Sequence, residues 1–148
     1  MNLCIDQGNS RTKIALFKKD GRIVKNLLYK SFTSADVERL FSLYPITQSI
    51  VSSVANMEPA VINALNRLSK KFVLFDHLTP LPIKNCYQTP ETLGHDRIAA
   101  AVGAAHLCPG QNLLIVDAGS AVTYDFVSAE QGYLGGNIAP GIKMRLTV

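Results

Sequence analysis

The 148 residues predict an α/β fold, with a sheet that begins antiparallel and continues through strands joined by helices. Three observations carry this expectation. Short apolar runs at the start are separated by turn residues and not by helical stretches. Two amphipathic stripes then alternate with two further short apolar runs. Finally, Ile5-Asp6-x-Gly8 followed by a strand returns as Val116-Asp117-x-Gly119, 111 positions later. A repeat at that distance indicates two related domains, not a short-period solenoid.

Leu3-Cys4-Ile5 reads as a first strand that runs into the turn Asp6-Gln7-Gly8-Asn9-Ser10, and Thr12 to Phe17 alternates as a second. Asp20-Gly21 is a hairpin signal, with Arg22 to Tyr29 as the third strand. Thr33-Ser-Ala-Asp36 has the form of a capping box, and Val37, Leu40, Phe41 and Tyr44 behind it form a helical stripe. Ser49 to Val54 is a short apolar strand. Asn56 is the expected cap of a second helix, with Pro59 in its first turn and Val61, Ile62, Leu65 and Leu68 facing inward. Phe72 to Phe75 is a strand, and Thr79 to Gly94, with three prolines, is a connecting loop. His95 to Leu107 is Ala-rich and apolar nearly all round, the pattern of a helix buried between layers. Strands over 112–116 and 121–127 flank the turn Asp117-Ala-Gly-Ser, and Gly135 to Gly141 reads as a loop hugging a ligand or the preceding sheet.

Bulk properties narrow the function. With 47% apolar and 18% charged residues the chain can bury a core. Its net charge of +4 is scattered, without Trp and without a basic stripe interleaved with aromatics, so neither nucleic acid nor a membrane is the expected partner. Cys4, Cys86 and Cys108 are far apart with no C-x-x-C spacing, which argues against a disulfide framework and a structural zinc site. Cys4 and Cys108 sit in apolar surroundings and are expected as small core residues. The N-terminus has the form of neither a signal nor a transit peptide, and no apolar run approaches the ~18 residues of a membrane span. A cytoplasmic location is expected.

Four stretches carry candidate chemistry. In Asp6-Gln7-Gly8-Asn9-Ser10-Arg11-Thr12-Lys13 a strand ends in a carboxylate, where Mg²⁺ can be held together with phosphates. Gly8 would let backbone N–H groups approach phosphate oxygens, and Lys13 adds positive charge. An ordinary hairpin turn is the competing reading. Asp117-Ala-Gly119-Ser120-Ala-Val-Thr123-Tyr-Asp125 repeats the logic with hydroxyls in place of Lys, with a tight β-turn as the competing reading. Neither a G-x-x-x-x-G-K-[ST] loop nor a G-x-G-x-x-G fingerprint occurs. In Thr89 to Arg97 a carboxylate and a guanidinium adjoin where a loop enters a helix. Asp96 could accept a proton from a substrate hydroxyl, and Arg97 could clamp a carboxylate. The fourth stretch is the glycine-rich segment from Gly135 to Gly141.

Together, Asp6-x-Gly8-Asn9-Ser10-x-x-Lys13, Thr89-Pro-x-Thr-Leu-Gly-x-Asp-Arg97, Asp117-x-Gly-Ser-Ala-x-Thr123 and Gly135-Gly-x-Ile-x-Pro-Gly141 resemble, in order, the signatures of type III pantothenate kinases. The resemblance spans essentially the whole chain. It implies an actin-like, ribonuclease H-like duplicated α/β fold, with residues 1–110 as the first domain and 111–148 as an incomplete start of the second. It implies ATP-dependent phosphorylation of pantothenate to 4'-phosphopantothenate, the first step of coenzyme A synthesis, by a homodimer that needs Mg²⁺ and a monovalent cation, K⁺ or NH₄⁺. By position, Asp6 to Lys13 (Asp6, Gln7, Gly8, Asn9, Ser10, Arg11, Thr12, Lys13) are similar to the ATP-phosphate site, with Asp6 toward Mg²⁺ through phosphates or water. Tyr87, Gly94, His95, Asp96 and Arg97 correspond to pantothenate contacts, with Asp96 as proton acceptor. Asp117 is similar to the monovalent-cation ligand, and Ser120 stands where the family usually has an ATP-contacting Thr. Family members continue into a helix and the rest of a second domain, which these 148 residues do not include. A non-catalytic relative, or another small-molecule kinase or phosphatase of the superfamily, is the alternative.

Overall fold

The opening hairpin forms where turn residues interrupt the apolar runs. β1 (Asn2–Gln7) pairs antiparallel with β2 (Thr12–Phe17), and β3 (Ile23–Tyr29) continues the meander. The computed structural model describes every residue except 9–10, 55–56 and 147–148, with Lys143 described in its backbone only. The contacts of the chain gather into two compact units, Met1–Asp76 and His77–Val148.

In the first unit, α1 (Ser34–Leu43) starts at the predicted capping box. Thr33 N–H donates to the Asp36 carboxylate at 2.9 Å, and Asp36 N–H donates back to Thr33 Oγ1 at 3.4 Å. Two donors without intrahelical partners are thereby satisfied. β4 (Gln48–Ser53), α2 (Pro59–Leu68) and β5 (Lys71–Leu74) follow, with Pro59 in the first turn of α2. Asn56, expected as the cap of that helix, lies outside the described residues; the position before Pro59 is Glu58, which makes no side-chain capping bond. β4 runs parallel to β1 and β5 parallel to β4, giving the order β3-β2-β1-β4-β5. The antiparallel start and the helix-linked parallel strands are both as the sequence predicts.

Strand alternation sends Leu3, Ile5, Ile14, Leu16 and Val51 to one face, where they meet Val37 and Leu40 of α1 and Val61, Ala64 and Leu65 of α2. Leu3, Leu16, Val37, Val51, Val61 and Leu65 are fully buried there. Cys4 lies on the other face, half-buried, and burial pushes its thiol upward from the ordinary range.

The second unit begins with an extended segment and a 3₁₀ turn at Pro90–Thr92, followed by α3 (His95–Leu107). An antiparallel sheet of β6 (Leu113–Ala118), β7 (Ala121–Ser128) and β8 (Gly132–Pro140) comes next, then a short helix, α4 (Ile142–Leu146). Here the structure departs from the sequence reading in four places. Helix α3 packs on β6 and β7, so the packing boundary falls at Asp76/His77, upstream of residue 110. Only Arg97, Ile98 and Ala101 of α3 are buried, so this apolar helix is covered on one face and not between two layers. Cys108, just past its end, is exposed.

The fourth departure is the segment from Gly135 to Gly141, expected as a loop; up to Pro140 it is strand β8, paired along β7. Glycine is needed there for closeness to the neighbouring strand, since a Cβ on Gly136 would fall 1.7 Å from the Tyr124 carbonyl oxygen.

Candidate functional site

In the first unit the predicted phosphate turn joins β1 to β2. Asp6 and Lys13 face each other in the antiparallel register, on the side opposite Ile5 and Ile14, with Lys13 Nζ 3.9 Å from Asp6 Oδ2. Both side chains are solvent-accessible, so this pairing stabilises little. Gln7 Oε1 accepts from Ser53 Oγ at 2.8 Å, Thr12 is buried at the start of β2, and Arg11 is exposed. Asn9 and Ser10 lie outside the described residues. Gly8 N–H donates to the Arg11 carbonyl at 3.0 Å. That amide closes the turn. Among the described residues, a Cβ on Gly8 would meet that same oxygen at 3.4 Å.

β1 and β4 are parallel, and the C-terminal ends of parallel strands are where open α/β sheets bind ligands. Across the register from Asp6 lies Ser52, whose hydroxyl is buried and makes no hydrogen bond among the described residues. An unused polar group beside an accessible carboxylate fits a phosphate with its hydrated Mg²⁺, which keeps most ligands from water and phosphate.

In the second unit α3 opens with the acid–base pair. Gly94 is its cap, without a side-chain bond, and its lack of a side chain matters: a Cβ there would lie 2.6 Å from Asp96 Oδ1. Asp96 is exposed in the first turn, and its Oδ1 accepts from the Arg97 N–H at 2.9 Å. A carboxylate at a helix N-terminus is favoured by the helix dipole. His95, beside it, is half-buried.

Arg97 turns inward. Its guanidinium is held by Asp125 of β7, with Nε donating at 3.0 and 3.2 Å to the two oxygens and Nη2 at 2.6 Å to Oδ1. Tyr133 of β8 donates its hydroxyl to Asp125 Oδ1 at 2.7 Å. These bonds to Asp125 raise the Arg97 guanidinium further above its usual value, against the opposing effect of burial. Burial first, and the Asp125 carboxylate after it, push the Tyr133 phenol well above the usual tyrosine range.

Tyr87 is brought in from the long loop. Tyr133 N–H donates to the Lys84 carbonyl and Cys86 N–H to the Tyr133 carbonyl, both at 2.9 Å, so residues 84–86 run along the edge of β8. The Tyr87 ring then lies 6.3 Å from that of Tyr133, at 37°. The second unit therefore gathers Tyr87, Gly94, Asp96 and Arg97 around one cluster.

Asp117 and Ser120 sit at the β6–β7 turn, both exposed. Asp117 lies opposite Thr123 in the register, and the Ser120 carbonyl accepts from Gly141 N–H at 3.1 Å. Among the described residues no three His, Cys, Asp or Glu side chains gather to hold a metal. A single exposed carboxylate with neighbouring hydroxyls is an oxygen-donor set that suits a weakly held, largely hydrated cation.

Asp125 and Tyr133 were assigned no role from sequence. One signal was available: Asp125 falls inside an otherwise mostly apolar strand, where a buried charge requires a partner.

These features define an α/β protein with a carboxylate–arginine pair set at a helix start over a sheet. The sequence model of the type III pantothenate kinase family matches residues 2–148, and the chain belongs to that family. Its fold is accordingly of the actin-like α/β class. The type III pantothenate kinase of Phocaeicola vulgatus is 43% identical over 145 residues, covering 98% of this chain and 60% of that protein. The Bacteroides fragilis enzyme of the same name is 43% identical, covering 99% and 60%. That of Christiangramia forsetii is 42% identical, covering 98% and 60%. The chain thus spans about three-fifths of the length of these relatives.

Proposed function

We propose that this chain carries the phosphate-handling and alcohol-accepting parts of an enzyme that phosphorylates pantothenate with ATP. The observation that carries the reading is Asp96, an exposed carboxylate in the first turn of α3, next to an arginine whose guanidinium is held in place. Asp96 takes the proton of the primary hydroxyl of pantothenate. The hydroxyl oxygen forms a bond to the terminal phosphorus of ATP as the bond from that phosphorus to the bridging oxygen breaks, leaving ADP. Arg97 and Tyr87 hold the acceptor, and Lys13 faces the negative charge of the phosphates. Such catalysis is mostly positioning and electrostatics. Mg²⁺, held from Asp6 through water and phosphate, supplies neutralisation of phosphate charge when bound. Asp117 is the ligand we assign to a monovalent cation, with Ser120 beside it as a nucleotide contact.

ADP release measured with and without pantothenate tests the reading. Release that depends on pantothenate is expected from a protein of the relatives' full length, and very little from these 148 residues alone. Release that is indifferent to pantothenate, or that follows another alcohol instead, overturns the substrate assignment.

A further inference from the structure

Asp125 is only 1% exposed, in the middle of β7, where an isolated carboxylate would be very costly. It is held by groups from two other elements: Arg97 of α3, itself 6% exposed, and Tyr133 of β8, which is fully buried. A guanidinium carries five N–H donors in a rigid fork with two edges, each able to grip a carboxylate. Asp125 occupies the Nε/Nη2 edge; the hydrogen bonds described for this guanidinium all run to Asp125, which leaves the Nη1/Nη2 edge for a ligand. The charges of Arg97 and Asp125 cancel, so this cluster offers an anion directed N–H groups more than net positive charge. Orientation of the fork then decides affinity.

We propose that Asp125, steadied by Tyr133, is a positioning residue that fixes the Arg97 guanidinium with its free edge toward the carboxylate of the substrate. The inference rests on the pantothenate reading and extends it to two residues that the sequence left without a role, Asp125 at the end of the second turn stretch and Tyr133 outside any motif. Asp125 touches no reacting atom; it acts through Arg97.

Two probes on the 148-residue chain test this and fail independently. The first needs no substrate. In ¹⁵N spectra the Arg97 Nε–H should give a resolved resonance protected from exchange, and Asp125→Asn should abolish that protection while the backbone spectrum stays folded. Rapid exchange in the unmodified chain, or unchanged protection in Asp125→Asn, overturns the proposal. The second is titration with pantothenate. Asp125→Asn should weaken binding roughly 10–100-fold, as expected when a charged hydrogen-bond partner is lost. In an Arg97→Lys background the same change should add little, because its effect passes through Arg97. Equal binding by folded Asp125→Asn, or full additivity of the two substitutions, overturns the proposal. Should Asp125→Asn fail to fold, Tyr133→Phe carries both probes with the same expected directions, and an unchanged Tyr133→Phe counts against it. If the unmodified chain does not bind pantothenate, the substrate reading falls, and the exchange probe alone decides whether Asp125 fixes Arg97.

Discussion

The two units are built on opposite principles. In the first, a sheet lays Leu3, Ile5, Ile14, Leu16 and Val51 against two amphipathic helices, and its interior is almost wholly apolar. In the second, the most deeply buried side chains include Asp125 and Tyr133, with Arg97 joined to them, and a single helix covers one face of the sheet. On the other face Leu114, Val116, Tyr124 and Phe126, paired across β6 and β7, stay 67%, 53%, 41% and 40% exposed. A buried ion pair is weak support for stability, whereas close-packed apolar burial is strong support. The contrast suggests that the first unit carries stability and the second carries specific chemistry.

The largest effect expected under that division is on turnover. In a protein of the relatives' full length, Asp96→Asn should lower pantothenate-dependent kcat by roughly 10²–10⁴-fold, the usual contribution of a positioned base, while leaving the unfolding midpoint and ATP binding nearly unchanged. Near-normal turnover at saturating pantothenate would remove Asp96 from its role. Next comes a pair of core changes. Leu65→Ala, at a fully buried site of the first unit, should cost about 2–5 kcal/mol in denaturant unfolding. Leu114→Ala, on the exposed face of the second, should stay within about 0.5 kcal/mol. Similar costs at the two sites would break the comparison, because the second sheet would then be packed as tightly as the first. The smallest effect concerns the cation. Asp117→Ala should leave folding alone and remove the response of the rate to added KCl; a retained potassium response excludes Asp117 as the ligand.

Much of the first unit was legible because its signals are local. The Thr33–Asp36 capping box, the Asp20-Gly21 turn and the helical stripes each lie within a few residues, and the structure contains all of them. The second unit depends on register. Gly135 and Gly136 read as loop because isolated glycine weakens strands, but β8 needs glycine to pass beside Tyr124. The pairing of β7 with β8 passes through a register shift between Phe126 and Val127, and no periodicity reveals that shift. Arg97 was legible as a candidate clamp, but its partner lies 28 residues away on another element. Composition alone does not name such a partner.

The place of β1 in its sheet bears on how the chain is made. Of the five strands in the first sheet, the earliest in the chain is the central one, with β2 on one side and β4 on the other. β2 follows at once, but some 40 residues separate the end of β1 from the start of β4, about 2–8 s of translation at typical bacterial rates. For most of that interval the nascent hairpin presents Leu3, Ile5, Ile14 and Leu16 uncovered, with α1 arriving only near its end, α2 still to come and one edge of β1 open. A nascent chain in that state exposes apolar surface and an unpaired strand edge together, the combination that makes folding intermediates prone to aggregate.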